Sequence, residues 1–305
     1  MSTSPEATPR VRTVLDRPFS ELPALQHPDW ADRFPWLIQG TTTRGPGRPF
    51  DFALFGTAVD ADAARARWEA LRLCVGARRV VHARQVHGAE VRVHGREVRA
   101  RSDVRTRGEV SVRGRQIHVE RGAPGLHLAE PCDAHVTSER GLLLAVTTAD
   151  CVPVFLVDPR RRAVAVAHAG WRGAAAGVLE QAIGSLARHR PAGSEGSRPA
   201  GSARSRPAGG ERSRPEDLHV HLGPAICGSC YEVGPEVFGA LGLPTPDGPT
   251  PLDLRAALAE RAAAEGVPST SITVSGHCTR CTDSGLFSHR GGDAGRQVGY
   301  LGLRS

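Results

Sequence analysis

Residues 147–173 carry the strongest structural signal in the chain and read TTADCVPVFLVDPRRRAVAVAHAGWRG. Two apolar, β-branched runs, Val152–Val157 and Ala163–His168, flank the sequence Asp-Pro-Arg-Arg. Asp at the first position of a β-turn and Pro at the second are typical of a type I turn. The segment therefore predicts an antiparallel hairpin.

The open end of this predicted hairpin holds a thiol and an imidazole. A turn centred between residues 159 and 160 pairs Phe155 with Val164 and Cys151 with His168. Directly opposite residues have Cβ atoms about 4.5–5.5 Å apart. The pair suits a cysteine nucleophile with a histidine base, or two ligands of a metal such as Zn²⁺. A buried cysteine beside a hydrogen-bonded histidine is the third interpretation.

A third metal ligand has to come from another segment. Residues 82–94 contain His82, His87 and His94. We expect His87 at a strand end before Gly88, and the other two within strands or at the surface. Spacing alone favours His87 only slightly.

Around the hairpin the sequence predicts further strands and helices. The predicted helices are Ala61–Cys74, Ala174–Arg188 and Leu252–Gly266, the last with Asp253 as N-cap and Gly266 as C-cap. The predicted strands are Arg78–His82, Glu90–His94, Leu142–Thr147, Leu218–Leu222, Ser271–Ser275 and Val298–Leu303. Strands outnumber helices, so we expect an α+β fold with sheets packed between helices. Residues 1–18 are predicted to be a disordered tail and residues 19–305 a single domain.

Two arginine-rich segments account for most of the formal net charge of +7. They are residues 96–121 and residues 189–217, and the second repeats Arg-Pro every eight residues. Its composition predicts a disordered insertion, either a neutral surface expansion or a partner-binding arm. The chain has no lysine and few aromatic residues, so nucleic acid is not an expected partner.

Hydropathy and cysteine content exclude further classes of protein. No run of 18 apolar residues is present, so no membrane span is expected, and the N-terminal segment lacks the apolar region of a secretory signal. Seven cysteines in 305 residues are too few for a disulfide scaffold. These features predict a cytoplasmic protein.

Several motifs resemble those of the YfiH-like, laccase-domain family, whose members are also described as multicopper polyphenol oxidases and purine nucleoside phosphorylases. The resemblance spans about residues 36–303, apart from the arginine-rich segments. The motifs are Gln85-Val86-His87-Gly88, Thr148–Val154, Ala167–Gly173, Gly223–Ile226, Tyr231–Gly234, Leu252–Leu254, Cys278-Thr279, Phe287–Arg290 and Gly295-Arg296.

The resemblance implies a layered α/β/β/α domain with mixed sheets and hairpins. It also implies a metal site formed by His87, Cys151 and His168. The implied reactions are phosphorolysis of adenosine, inosine and methylthioadenosine, and deamination of adenosine. The older family label implies copper-dependent oxidation of phenols instead. We expect Zn²⁺, since three protein ligands leave one tetrahedral position open, and copper is the alternative.

Charged residues in these motifs are the candidates for the remaining roles. Asp150 is the nearest carboxylate to Cys151 in sequence and is predicted to move a proton. Arg44, Arg172 and Arg290 are predicted to bind phosphate, because a guanidinium holds phosphate through two parallel hydrogen bonds. The predicted catalytic set is Cys151, Asp150 and Arg172.

The sequence departs from the family pattern at a few positions. Leu54 stands where the family has Asn, and Arg67-Trp68 stands where it tends to have Asn-Arg. His135 occupies a usually apolar position, and His289 replaces an aromatic or basic residue. These changes make the substrate harder to predict than the metal.

Two CxxC pairs, Cys227–Cys230 and Cys278–Cys281, are a competing signal. Together they suggest a zinc ribbon, and with it a nucleic-acid-binding module as the alternative function. However, 47 residues separate the two inner cysteines, against about 15–20 in the usual motif. The spacing therefore favours packed thiols over a four-cysteine zinc site.

Overall fold

The computed structural model describes eight stretches of the chain, namely residues 11–19, 22–45, 51–55, 61–95, 108–112, 115–119, 125–190 and 213–305. Within them the strands are β1 (Arg12–Val14), β2 (Arg17–Phe19), β3 (Ala24–Gln26), β4 (Leu37–Thr42), β5 (Arg79–Ala83), β6 (Val91–His94), β7 (Gly108–Val112), β8 (Arg115–Val119), β9 (Gly125–Ala129), β10 (Ala134–Thr137), β11 (Leu142–Thr148), β12 (Val152–Asp158), β13 (Ala163–Ala169), β14 (His219–Leu222), β15 (Glu232–Val233), β16 (Thr250–Pro251), β17 (Ile272–Ser275) and β18 (Gln297–Leu303). The α-helices are α1 (Trp30–Arg33), α2 (Ala61–Cys74), α3 (Trp171–Ala175), α4 (Val178–Arg188), α5 (Pro235–Leu241) and α6 (Leu254–Ala264).

Two mixed seven-stranded sheets form the centre of the fold. The first has the strand order β1-β17-β14-β12-β13-β10-β6, and the second has the order β2-β3-β4-β18-β11-β5-β9. The β7-β8 hairpin and a short antiparallel strand pair, β15-β16, lie outside them. The structure is therefore the predicted α+β fold.

Three apolar cores show how the layers stack. One lies between the two sheets and contains Phe155 and Val157 of β12. Another packs the opposite face of β12, including Val154 and Leu156, against α4 and α6. The third packs α2, through the buried Trp68, onto the second sheet. Side chains of a strand alternate between its two faces, so a continuously apolar strand such as β12 is buried on both. The layers run α/β/β/α.

The β12-β13 hairpin forms, but our predicted register was wrong by two residues. His168 lies opposite Pro153, and Cys151 precedes the first residue of β12. The loop between the strands has four residues, because the Asp158 side chain accepts the backbone N–H groups of Arg160 and Arg161 at 3.0 and 3.1 Å. A shift of two residues keeps every side chain on its original face, so Cys151 and His168 still share one.

Most predicted elements are present with boundaries shifted by a residue or two. Helix α2 has the predicted bounds, and Asp253 caps α6 by accepting the N–H groups of Arg255 and Ala256. The predicted helix at 174–188 is instead two helices, α3 and α4. Gly177, with a φ of 85°, separates them because a left-handed residue interrupts the helical hydrogen-bond ladder.

The predicted tail was wrong for residues 11–18. Strand β1 pairs with β17, and Val14 is buried there. The carboxylate of Asp16 contacts the Ser275 hydroxyl and His221. This polar stretch is ordered although it has few apolar residues, because β17 at the sheet edge supplies hydrogen-bond partners for its backbone. Residues 1–10 lie outside the described residues.

The two arginine-rich segments are described only in part. Residues 108–112 and 115–119 form the β7-β8 hairpin, while residues 191–212 lie outside the described ranges. The predicted disordered insertion, residues 189–217, extends too far at its C-terminal end, because residues 213–217 are ordered. The Ser213 hydroxyl donates to Asp158, and residues 215–217 form a short 3₁₀ helix. No helix in the described part of the chain has the length and hydrophobicity that a membrane span needs.

Replacing residues 191–212 with a short Gly/Ser turn is expected to leave the melting temperature and turnover unchanged. The segment offers little apolar surface to bury, and each doubling of loop length costs only about 0.6 kcal/mol of closure free energy. A longer deletion that also removes Ser213 serves as the contrast, and should lower the melting temperature. A clear loss of stability or turnover in the shorter deletion would show that residues 191–212 pack or bind.

Candidate metal centre

The three predicted metal ligands meet at one end of the first sheet. His87 lies in the turn between β5 and β6, Cys151 directly precedes β12, and His168 is near the end of β13. Their donor atoms all lie within 4.8 Å of one another. The His87 and His168 rings meet edge to face, with centroids 4.8 Å apart. Burial falls from His168 through Cys151 to the exposed His87, so the site opens to solvent on the His87 side.

The other two histidines considered as ligands lie elsewhere. His82 is buried, shares a hydrogen bond of 3.1 Å with the Ala145 carbonyl and stacks on Trp68. His94 shares a hydrogen bond of 2.9 Å with His135. Both rings therefore have structural contacts away from Cys151.

Asp133 organises the site, and the sequence analysis did not assign it a role. Its fully buried carboxylate accepts the backbone N–H groups of Val86, His87 and Gly88 at 2.8–3.2 Å. It also contacts Nδ1 of His168 at 3.0 Å. Burial alone would raise the pKa of Asp133, but His168 and these N–H groups outweigh it and lower the pKa. One ionised side chain thus fixes two candidate ligands.

The contact with Asp133 also sets the orientation of His168. An imidazole whose Nδ1 donates to a carboxylate presents Nε2 to its other neighbour, which is a common arrangement for metal-binding histidines. Asp133 lies two residues before His135 in the sequence. Nothing in its spacing indicated that Asp133 reaches both the His87 turn and β13.

Charges within the trio formed by His87, Cys151 and His168 favour a thiolate at Cys151. Burial raises the pKa of this thiol, but His168 and His87 outweigh the burial and lower the pKa to about 6. Burial likewise lowers the pKa of His168, while the Cys151 thiolate and Asp133 together raise it to about 9. The thiolate is the form of cysteine that binds metals.

The backbone around the trio is shaped for close approach. A Cβ atom at Gly170 would lie 2.9 Å from the Cys151 sulfur and 3.4 Å from Cδ2 of His87, so a larger residue would displace the ligands. Two of the three described non-glycine residues with a positive φ are His87, at 58°, and Asp150, at 84°. Unfavourable backbone conformations of this kind persist where surrounding contacts fix them, often at functional sites.

Asp150 is buried beside Cys151, and both of its carboxylate oxygens have donors. Oδ1 accepts the Thr279 hydroxyl at 2.6 Å, and Oδ2 accepts the Arg290 backbone N–H at 2.7 Å. These contacts tie residues 278–290 to the residue that precedes a candidate ligand.

Two of the three predicted phosphate-binding arginines lie on segments next to the trio, since the Arg290 N–H donates to Asp150 and Arg172 lies two residues after Gly170. Burial, and then the charge of Cys151, raise the pKa of Tyr231 to about 12, with Arg290 and Arg172 partly offsetting this rise. The Arg290 guanidinium lies 5.0 Å from the Tyr231 ring centroid and donates to the Glu232 carbonyl. Arg172 is exposed and stacks over Trp171 at 4.5 Å. Within the described residues no hydrogen bond or ion pair engages its guanidinium.

Arg44 is held differently. Its guanidinium pairs with Asp293 and donates to the Leu286 carbonyl at 3.0 Å. It also lies over the Phe287 ring, 4.8 Å from the centroid. These contacts fix the segment that carries Arg290.

The positions that depart from the family pattern have mostly structural surroundings. Leu54 is half-buried and packs against the core around α2. Trp68 is buried and donates to the Phe52 carbonyl at 3.1 Å, while Arg67 donates to the Asp51 carbonyl at 2.9 Å. His135 is buried beside His94, and His289 is exposed.

The donor set fits a metal ion. A thiolate and two imidazoles are ligands that zinc and copper both accept. The three donor atoms lie within 4.8 Å of one another, which is close enough for all of them to bind one ion. Gly170 has no Cβ atom, and this leaves room for the Cys151 sulfur. His87, Cys151 and His168 would hold it, and Asp133 would orient His168.

Comparison with known proteins places the chain in a family. A family model described as multi-copper polyphenol oxidoreductase laccase matches residues 41–197 and 206–304. The chain is 34% identical over 198 residues to purine nucleoside phosphorylase YlmD of Geobacillus stearothermophilus, covering 60% of this chain and 64% of that protein. It is 33% identical over 172 residues to adenosine deaminase RL5 of an unknown prokaryotic organism, covering 53% and 57%. The alignments thus span less than two thirds of these two relatives.

Solved structures show the same fold over nearly the whole chain. The crystal structure of YlmD from Geobacillus stearothermophilus matches with a TM-score of 0.67 at 28% identity, covering 97% of this chain and 100% of that one. The YfiH protein of Bacillus licheniformis matches with a TM-score of 0.70 at 23% identity, covering 95% and 99%. With the family model matching most of its length, the chain belongs to the multi-copper polyphenol oxidoreductase laccase family.

Proposed function

We propose that this protein is a zinc-dependent purine nucleoside enzyme that uses His87, Cys151 and His168 as metal ligands. It would split adenosine, inosine and methylthioadenosine with phosphate and would also deaminate adenosine. The observation that carries the proposal is the convergence of the three ligands at a solvent-open site beside two arginines. The names of the relatives, a purine nucleoside phosphorylase and an adenosine deaminase, support it.

The bound metal would supply Lewis-acid chemistry and lower the pKa of a water molecule in the open coordination position. The protein contributes the charge of that site. One thiolate and two neutral imidazoles leave a Zn²⁺ site with a net charge of about +1. Asp133 keeps His168 oriented, and Gly170 keeps the sulfur accessible.

Phosphorolysis requires an anion beside the ribose. A phosphate oxygen forms a bond to C1′, the bond from C1′ to the purine nitrogen breaks, and that nitrogen takes up a proton. Arg172 would bind the phosphate because its exposed guanidinium has no hydrogen-bonded protein partner among the described residues. Arg290 would contribute a second positive charge from across Tyr231. Arg44 remains a predicted phosphate contact, with its guanidinium already bonded to Asp293.

Deamination requires a water molecule to add to C6 of the purine and ammonia to leave. Asp150 is our candidate for proton transfer, since it is the residue next to Cys151. Its two hydrogen bonds, from Thr279 and Arg290, also make it a positioning residue for the loop that carries Arg290. No phosphate is consumed in this reaction.

Incubating the purified protein with adenosine, with and without phosphate, tests the proposal. Adenine and ribose 1-phosphate formed only with phosphate would support phosphorolysis, and inosine formed without phosphate would support deamination. Absence of both sets of products, with zinc bound at the trio, would refute the proposed function.

Copper-dependent oxidation of phenols is the second candidate. The family description names it, and a cysteine with two histidines is also the ligand set of a type 1 copper site. The residues that the structure describes contain two candidate metal groups, and neither is a histidine-rich cluster of the kind several coppers would need. Several coppers per chain together with phenol oxidation would favour this function over ours.

Replacing Arg172 with alanine is expected to lower the phosphorolysis rate about 10- to 100-fold and to change deamination much less. The loss corresponds to a charged hydrogen bond of about 1.5–3 kcal/mol that only phosphate uses. The measurement is kcat/KM for both reactions on the same preparation. Arg160→Ala, in the loop at the far end of the β12-β13 hairpin, is the matched control and should change neither. Equal losses in both reactions would contradict a phosphate-binding role.

A further inference from the structure

A second group of possible metal ligands lies outside the trio. The sulfur atoms of Cys227, Cys230, Cys278 and Cys281 all lie within 4.8 Å of one another. The long spacing between the two CxxC pairs made us favour packed thiols over a zinc site, and the fold shows how the two pairs nevertheless come together. Strands β14 and β17 are parallel neighbours, so their carboxyl ends lie at the same edge of the sheet. Most of the 47 intervening residues belong to the crossover connection between these strands, which contains α5 and α6.

The strand ends place the two pairs directly against each other. Cys227–Cys230 follows β14 and Cys278–Cys281 follows β17, and a parallel bridge between Ala225 and Cys278 continues the strand pairing up to the cysteines. The Thr279 N–H also donates to the Ala225 carbonyl at 3.2 Å. The cluster is thus built on the large sheet, with no separate ribbon among the described residues.

The separation of the Cys227 and Cys281 sulfurs matches that in a tetrahedral zinc site, and all four sulfurs lie within 4.8 Å of one another. With Zn–S bonds of about 2.3 Å, neighbouring sulfurs of a tetrahedral site lie about 3.8 Å apart. The sulfurs of Cys227 and Cys281 are 3.7 Å apart. A disulfide would need them at about 2.05 Å. A four-cysteine set has no open position and is the ligand set of structural zinc sites.

Backbone donors and an arginine surround the sulfurs with positive potential. The sulfur of Cys278 accepts the N–H groups of Cys227 at 3.3 Å and Arg280 at 3.4 Å. The Arg280 guanidinium donates to the Cys230 carbonyl at 3.3 Å, so its charge lies beside the cluster and links the two loops. Four thiolates around Zn²⁺ carry a net charge of about −2, which N–H donors and a guanidinium stabilise.

We propose that Cys227, Cys230, Cys278 and Cys281 bind a structural Zn²⁺ ion that fastens the loops after β14 and β17. Binding converts four thiols to thiolates and releases their protons to solvent. The fastened loops hold Asp150, since the Ile226 N–H donates to its carbonyl at 3.1 Å and the Thr279 hydroxyl to its carboxylate. This ion therefore stabilises the segment next to Cys151 without contacting substrate.

Zinc counting by native mass spectrometry tests this inference separately from any activity. The wild-type protein, purified under reducing conditions, should carry about two zinc ions per chain. Cys281→Ser and Cys151→Ser should each carry about one and the double variant none, while Cys74→Ser, outside both clusters, should carry two. A wild-type chain with one zinc that Cys151→Ser loses, or a Cys281→Ser variant that keeps both, would overturn the second site and leave the trio intact.

Cobalt spectroscopy keeps the test decisive if Cys281→Ser fails to fold. Cobalt-loaded Cys151→Ser retains only the four-cysteine group, so it should show the intense sulfur-to-cobalt charge transfer and the tetrahedral d–d bands of a tetrathiolate site. Absence of these bands would refute the proposal. A native mass that is lower by one or two pairs of hydrogen atoms would refute it too, because the cysteines would then form disulfides.

Discussion

Replacing Cys151 with alanine is expected to remove the zinc ion at the trio and to lower both purine reactions about 1,000-fold or more. Cys151 supplies the one negatively charged ligand, and its sulfur lies within 4.8 Å of a ring nitrogen of both His87 and His168. Losing metal catalysis removes several kcal/mol of transition-state stabilisation, and each 1.36 kcal/mol corresponds to a factor of ten in rate. Zinc content and kcat/KM for adenosine, with and without phosphate, are the measurements.

Cys74→Ala is the matched control for this prediction. Cys74 is a half-buried cysteine at the end of α2 and belongs neither to the trio nor to the four-cysteine group. Its loss should therefore leave zinc content and rates unchanged. A melting curve separates loss of the metal from loss of the fold. Full activity in a folded Cys151→Ala protein would show that the trio is not the catalytic metal site.

Replacing Asp133 with asparagine is expected to weaken zinc binding at the trio about 10- to 100-fold, the usual cost of losing the partner of a metal-binding histidine. The carboxylate accepts three backbone N–H groups and contacts His168. An amide offers one acceptor oxygen, and its NH₂ group would face donors, so the His87 turn and the His168 ring both lose their orientation. The measurement is the zinc dissociation constant, obtained by competition with a chelator.

Asp158→Asn separates this local effect from general destabilisation. Asp158 is equally buried and accepts backbone N–H groups, but it lies at the opposite end of the β12-β13 hairpin. Both variants should melt at lower temperature than the wild type, whereas only Asp133→Asn should bind zinc more weakly. Equal zinc affinity in the two variants would remove the role that we assign to Asp133.

Local patterns were enough to predict much of the sheet framework. The apolar, β-branched runs of β12 and β13 predicted the two strands of a hairpin, and a capping aspartate predicted the start of α6. These features depend on neighbours in sequence, so residue spacing reveals them. The register of the hairpin was missed because it depends on how the Asp158 side chain folds a four-residue loop.

The candidate site shows the same division. Residues on one hairpin were close enough in sequence for its alternation to place Cys151 and His168 on one face. His87 could not be chosen over His82 and His94 by spacing, and only the resemblance to a family singled it out. Asp133 was missed because its role depends on contacts with two segments that are distant in sequence.

By itself the sequence determined many of the strands and helices around the central hairpin, and the cysteine and histidine at the open end of that hairpin. Tertiary structure alone decided which carboxylate contacts the candidate ligands, what holds each arginine and whether the two CxxC pairs meet. Side-chain alternation is a property of a single strand, which the local sequence contains. The meeting of Cys230 with Cys278 depends on β14 and β17 lying side by side in parallel, and that pairing is set by the packing of the whole sheet.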